Sequence, residues 1–237
     1  MRLHSAVTLA SYEPSLPSRL YLILCLLSAA GCGPTFENRT PDFSLVPARL
    51  IVMPVLTRSV ELDFEGHRSA KRDWAHTMGG YAGSEVQKWA KEKGAAFLPV
   101  EKLEDCQAGF EELLASFLRW GANAAMEIAA QKSGRHDFGF ETVGEWTAAR
   151  DYHPLQKALN ADFALIVVLK DTRETTGHAL GNALSGRYTF YKQVAVACVA
   201  SLGYVQMKWC HSEIDKWVDL RQEGTARAAI RKLLSDL

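Results

Sequence analysis

An α/β domain built on a mixed sheet is the fold class this chain predicts, and three observations point to it. Short, nearly continuous apolar runs rich in β-branched residues fall at residues 50–55 and 161–171, as buried strands do. Two long segments between them repeat apolar residues every three or four positions, which is the helical period. The last forty-odd residues pair two apolar stretches and then a helix-like segment, so helices and strands alternate rather than segregate. The expected body is a compact sandwich of a mixed sheet with two or three packed helices.

The first core element covers residues 48–64 and centres on LIVMPV at residues 50–55, a run too brief and too β-branched for a free-standing helix. Pro54 lacks the N–H that a sheet ladder needs, so this strand is expected to sit beside an edge or to carry a bulge there. Leu62 and Phe64, then Gly66, His67 and Arg68, lead out into a loop. Trp74, Met78, Tyr81 or Ala82, and Trp89 mark a helix over residues 70–93. Gly79 and Gly80 each cost it about 1 kcal/mol against alanine, which predicts a break or a close helix contact. Gly94 closes the helix, and residues 97–100 read as a second short strand.

The second helix is the clearer one. Phe110, Leu113, Leu114, Phe117, Leu118, Gly121, Ala124, Ala125 and Ile128 form one broad stripe, with Glu111, Glu112, Arg119 and Glu127 largely outside it. Its later half is rich in Gly and Ala and lets the helix lie close to a neighbour. The stripe reads as packing against the sheet, with a peptide groove as the alternative. Residues 133–153 are polar and turn-rich, studded with His136, Phe138, Phe140 and Trp146. A short helix at 155–159 feeds the strongest strand, at 161–171, which belongs at the centre of the sheet.

The segment after that strand, TRETTGHALGNALSGRY, reads as a long connection carrying Gly177, Gly181 and Gly186. Connections on a rigid sheet commonly carry binding, and this one supplies a candidate partner loop, residues 172–187, with Arg173, Glu174, Thr175, His178, Asn182 and Arg187. Residues 191–201 and 205–212 follow as a hairpin. With Gly203 and Tyr204 as a two-residue turn, Cys198 faces Trp209. Val194, Val196, Cys198, Val205, Met207 and Trp209 then share one face, and Gln206, Lys208 and Cys210 point the other way. That register speaks against a Cys198–Cys210 disulfide, because the two side chains leave opposite faces. A last helix begins near Thr225 and lays Ala226, Ala229, Ile230, Leu233, Leu234 and Leu237 on the sheet.

Upstream of the body, LYLILCLL at residues 20–27 is far shorter than the roughly 20 apolar residues needed to span a bilayer. Arg2 and Arg19 make the lead positive, and small residues close the apolar run, which is the order of a signal peptide. Leu27, Ser28, Ala29, Ala30, Gly31 and then Cys32 resemble the lipobox of bacterial lipoproteins. Ala29 stands where the lipobox usually has leucine. The polar lead with Glu13, Pro14 and Pro17 is long for a signal peptide, as an upstream start annotation would make it. The resemblance implies cleavage before Cys32, a diacylglycerol thioether on its sulfur and acylation (palmitate-type) of the new amino terminus. Two or more chains hold a protein on a membrane where one does not. Gly33, in place of Asp, implies by the same resemblance the periplasmic face of the outer membrane, with the inner membrane as the alternative. The expected organisation is thus a signal peptide at 1–31, an acylated residue and flexible tether at 32–46, where Pro34 and Pro41 interrupt regular structure, and a single α/β domain at 47–237.

Composition narrows the partners. Lysine and arginine total 27, as do aspartate and glutamate, which leaves no electrostatic reason to invoke nucleic acid. The chain has five cysteines. With Cys25 removed and Cys32 acylated, Cys106, Cys198 and Cys210 remain, an odd number that leaves at least one free thiol.

The strand RLIVMPV from Arg49, the block NADFALIVVLKDTRETTG from Asn160, the final hairpin and helix, and the cysteine at 32 together resemble small envelope lipoproteins of Gram-negative bacteria. Their bodies are like the amino-terminal domain of TolB, the curli-secretion lipoprotein and the penicillin-binding-protein activators. The long pore-forming hairpins of the curli channel have no counterpart here. The resemblance implies a non-enzymatic scaffold or partner-binding module that engages another envelope protein, or a subunit of a secretion assembly.

Catalytic signatures are weak beside that. His67 and His76 around Asp73, His136 beside Asp137, and Asp151 with His153 lack the spacing of zinc ligands. GHALGNALSG is neither a phosphate loop nor a dinucleotide fingerprint, and no serine sits in GxSxG. No cofactor or metal is expected. A noncanonical envelope hydrolase is the alternative, with Asp171, Glu174 and His178 as its first suspects.

Overall fold

The computed structural model describes residues 49–63, 65, 67–98, 108–132, 151–176, 179, 192–203, 206–215 and 219–237. The cysteine motif at 27–32, the tether, Cys106, the His136–Asp137 pair and the aromatics at 138–146 lie outside them. In chain order the elements are β1 (Leu50–Val52), β2 (Leu56–Leu62), β3 (Arg68–Ala70), α1 (Arg72–Lys93), β4 (Ala96–Phe97), α2 (Ala108–Lys132), α3 (His153–Leu159), β5 (Phe163–Glu174), β6 (Lys192–Ser201), β7 (Gln206–Asp215) and α4 (Glu223–Leu233). Short β4 meets the start of the strand expected at 97–100, whose last two residues lie outside the described ones, and β3 is a strand where a loop was expected after Arg68. Strand β5 runs three residues beyond the expected Asp171.

Everything is organised around β5. On one side it pairs along its length with antiparallel β6, which pairs in turn with β7. On the other side it pairs in parallel with β1 and then with β2. Beyond those, β4 adds to β1 in parallel and β3 to β2 antiparallel, so the sheet is mixed. The run from 50 to 62 is one strand with a bulge in it. Leu50 opposes Phe163 and Leu56 opposes Val168, so this strand uses one more residue than β5 over the same distance. Pro54 falls in that interruption, as expected, where its missing donor costs no ladder bond. Just before it the Met53 N–H still donates to Leu165 O at 2.9 Å.

Alternation along β5 divides the core into two layers. Ala164, Ile166 and Val168 face a cluster with Val194, Val196, Cys198, Ala200 and Met207, covered by α2 and α3. Leu165, Val167 and Leu169 face the opposite cluster with Ala195, Ala197 and Val199, covered by α1 and α4. The helical stripe of α2 is therefore packing: Leu114, Phe117, Ala124, Ala125 and Ile128 are all buried there. Gly121 allows the approach, since a Cβ at that position would lie 2.2 Å from Ile166 Cδ1. Helix α1 is continuous through Gly79 and Gly80, so the expected break is absent. The close neighbour at Gly79 is a strand, and an added Cβ would meet Thr57 Cγ2 and Oγ1 at 3.3 Å. Gly94 ends α1 in the left-handed region at φ 70°, with its N–H donating to Lys91 O.

The hairpin corrects one expectation. Ser201 opposes Gln206 and Ala200 opposes Met207, the register expected from the turn, but an irregularity follows and Val199 opposes Trp209. One extra residue on β7 is absorbed there, so every later side chain changes face. Cys198 thus stands opposite Cys210, not Trp209, and the two form a disulfide with Cα atoms 4.1 Å apart. Both cysteines lie in the α2-side core, while Trp209 packs toward the α1–α4 side.

Candidate functional site

The apolar alternation of β5 gives way at its carboxyl end to charge that stays buried. Asp171, on the α1–α4 side by parity with Leu169, is fully buried, and Gln193 opposite it on β6 is 3 % exposed. Gln193 Nε2 donates to Asp171 Oδ1 at 3.1 Å, and Arg173 Nε donates to Asp171 Oδ2 at 2.9 Å. The other end of the Arg173 guanidinium donates through Nη2 to Asp219 Oδ1. Asp219 also accepts from the Arg221 backbone N–H and Nε at Oδ1 and from its Nη2 at Oδ2, each at 3.0 Å. A paired carboxylate with this many donors stays ionised. Burial pushes the Asp219 carboxyl up, yet the Arg221 hydrogen bonds and the charges of Arg173 and Arg221 outweigh it and hold it below the ordinary aspartate value.

The chain of contacts continues outward to α1. The Arg221 guanidinium lies 4.6 Å from the centroid of Trp74, at the start of α1, and Lys71 Nζ lies 5.5 Å from the same ring. Lys71 Nζ pairs with Glu61 on β2 at 2.5 Å. Three carboxylates, Asp171, Asp219 and Glu61, are thereby matched by three cations, Arg173, Arg221 and Lys71. Chemically this arrangement fixes the segment before α4 to the end of β5 and to α1. Both aspartates spend their oxygens on guanidinium or amide donors, which suits them to positioning rather than to proton transfer. Two buried acceptors beside Asp171, Ser59 Oγ and Gln193 Oε1, have no hydrogen-bond partner among the described residues.

Residues singled out from sequence distribute as follows. Asp171 belongs to the cluster above. Arg173 and Glu174 complete β5, with Arg173 in the same cluster and Glu174 on the opposite, α2-side parity. The Thr175 N–H donates to Leu62 O at 2.8 Å, continuing the β2–β5 pairing. His178, Asn182 and Arg187 lie outside the described residues. His67 does not meet Asp73 or His76: its backbone N–H donates to Asp63 Oδ1 at 2.8 Å and its Nδ1 lies 3.2 Å from Oδ2, while His76 is exposed on α1. Asp151 Oδ1 accepts from the His153 backbone N–H at 3.0 Å and meets its Nδ1 at 2.5 Å, a local turn at the start of α3. Those His153 hydrogen bonds hold the Asp151 carboxyl low. Among the described residues no three His, Cys, Asp or Glu side chains are grouped to hold a metal ion. No described helix is long and apolar enough to cross a membrane.

Gln193, Asp219, Arg221 and Trp74 were not anticipated. The available signal was the pair Asp171 and Arg173, two charges at strand spacing that continue the inward face of an apolar strand.

Comparison with known proteins finds no family model and no curated protein that matches this chain. Solved structures give distant resemblances. Lipoprotein GNA1162 from Neisseria meningitidis is 12 % identical, over 72 % of this chain and 81 % of that one, with a TM-score of 0.32. The PelC dodecamer from Paraburkholderia phytofirmans is 10 % identical, over 86 % and 91 %, at 0.35. The LpoB C-terminal domain from Salmonella enterica is 9 % identical, over 83 % and 93 %, at 0.26. Scores of this size carry neither fold nor role from those proteins to this chain.

Proposed function

We propose that this chain is an exported, acyl-anchored body that serves as a non-enzymatic binding module of the cell envelope. The observation that carries the reading is the Cys198–Cys210 disulfide inside the core, because such bonds form and persist on the oxidising side of a membrane and are rare in a reducing cytosol. The leader supports the same compartment: the LSAAG run before Cys32 has the order of a lipoprotein cleavage site. Residues 33–46 would then separate the lipid from the body, with a root-mean-square span of roughly 21 Å as a flexible chain. That distance lets the body meet a partner near the bilayer surface, on the periplasmic face of the outer membrane or, alternatively, of the inner membrane.

The binding role, in preference to hydrolysis, is supported by the charge-matched state of the cluster at the end of β5, which occupies the best acid candidates with structural work. The proposed contact surface begins at Thr175, just past the largely buried Arg173 and Glu174, and continues through His178, Asn182 and Arg187. Thiol alkylation of the protein taken directly from cells and denatured tests the compartment: Cys198 and Cys210, buried in the fold, should react only after reduction, and their labelling without reductant would contradict export. Site-specific crosslinking from Thr175 and Asn182 in living cells tests the surface. A discrete adduct with one envelope protein is expected, and a uniform background from both positions would refute it.

A further inference from the structure

The tail that follows α4 meets strand β7 at a histidine. His211 lies on the α1–α4 side of β7, opposite Ala197 of β6. Its Nε2 lies 3.1 Å from Glu213 Oε1, two residues along the same strand. Its Nδ1 faces the tail, 3.5 Å from Asp236 Oδ2. One imidazole thus stands between two carboxylates, one from the sheet and one from the chain end. Glu213 Oε2 accepts from Lys232 Nζ of α4 at 2.7 Å, so the cation beside this cluster is occupied by the other Glu213 oxygen. Asp236 Oδ1 accepts from Ser235 Oγ at 3.1 Å, which leaves Oδ2 for the ring. Trp209, the neighbour on the same face of β7, meets His211 edge-on with ring centroids 6.1 Å apart, and neither it nor Ala197 brings a charge.

The number of protons on the ring decides what this corner can do. A neutral imidazole has one N–H and one lone pair, so in either tautomer one ring nitrogen turns its lone pair toward a carboxylate oxygen. Only the imidazolium has a donor for each side. The Nδ1 atom is moreover buried and has no hydrogen-bond partner among the described residues. A buried ring nitrogen left unpaired is penalised, and a proton on it removes that penalty by giving Asp236 a charge-assisted donor.

We propose that His211 is a proton-operated latch: its imidazolium form ties the tail of α4 to β7 through Asp236 and Glu213, and its neutral form lets Asp236 go. Histidine side chains change charge between about pH 5 and 8, so the latch closes as the surroundings acidify across that window. Docking favours the proton, and the contribution of this corner to stability is therefore present on the acid side and lost as the pH rises. The sign is opposite to that of a paired carboxylate such as Asp219. Nothing in the latch depends on acylation of Cys32 or on the loop at 172–187.

A double-mutant cycle run at two pH values tests it, with urea unfolding of the purified full-length chain as the readout and His211→Gln, Asp236→Asn and their combination as the variants. At pH 5.5 the coupling between the two residues should be about fivefold in the unfolding constant, the upper end for a partly exposed ion pair. At pH 8 it should vanish. Coupling of equal size at both pH values, coupling that is larger at pH 8, or none at either would overturn the latch. Asp236 is exposed, so Asp236→Asn leaves the fold intact and serves alone if His211→Gln does not fold. That variant should raise the unfolding constant about fivefold more at pH 5.5 than at pH 8. An effect independent of pH, or larger at pH 8, would contradict the proposal.

Discussion

The two halves of β5 solve burial in opposite ways. From Ala164 to Leu169 both faces are apolar and each side chain is buried in one of two hydrocarbon layers. From Lys170 to Glu174 the strand still lies mostly out of water, yet its residues are charged or polar, and on the α1–α4 side Asp171 and Arg173 are kept there by partners from β6 and from the segment before α4. The apolar half is stabilised by non-directional area burial and tolerates swaps that conserve volume. The polar half depends on complete pairing, and removing one member strands the others. The lesson is that one strand can act as core at one end and as a directional clasp at the other.

The sharpest way to break this comparison is Asp171→Ala. It leaves Gln193 Nε2 without its acceptor and Arg173 with one carboxylate fewer, and a loss of about 3–5 kcal/mol is expected in urea unfolding. A loss below about 1 kcal/mol would show that the polar end is solvated and contributes as little as a surface pair. Replacing both Cys198 and Cys210 by alanine comes next. The bond closes a loop across a sequence separation of 12, and its removal should cost about 3 kcal/mol.

Smaller still, Gly121→Ala should cost about 1–3 kcal/mol by overpacking against Ile166 Cδ1 in the apolar half. Adding Ile166→Val removes that methyl, so the double variant should be more stable than the sum of the two single changes. Simple additivity would mean that α2 shifts away instead. The least effect is a pH slope. Asp219 is held below its ordinary value in the folded state, so its contribution is fully present above the unfolded aspartate range near 3.9 and is lost as the pH falls through the folded value. Asp219→Asn should flatten the acid limb of a stability–pH curve, and an unchanged limb would dissociate Asp219 from acid lability.

What could be read from the chain follows the same division. The apolar half of β5, the stripe of α2 and the final helix are written in local periodicity, and local periodicity survives folding whenever one face is buried. Pro54 likewise announced its own bulge, because a missing N–H is a property of the residue itself. The bulge in the hairpin has no such marker. Nothing in QMKWC distinguishes an extra residue from ordinary alternation, and one unseen residue reversed the faces of Trp209 and Cys210. The clasp was legible only in part. Asp171 and Arg173 are adjacent at strand spacing, but Asp219 and Arg221 lie more than forty residues further on, and only the fold brings those charges together.

The proposed role requires a body that is exported and held by lipid, with its surface presented to a partner in the envelope. Intact-mass measurement of the chain from native membranes tests this most directly. The expected product begins at Cys32 and carries the added mass of a diacylglycerol thioether and an amide-linked acyl chain. A soluble product cut elsewhere, or an uncut chain without lipid, would contradict it.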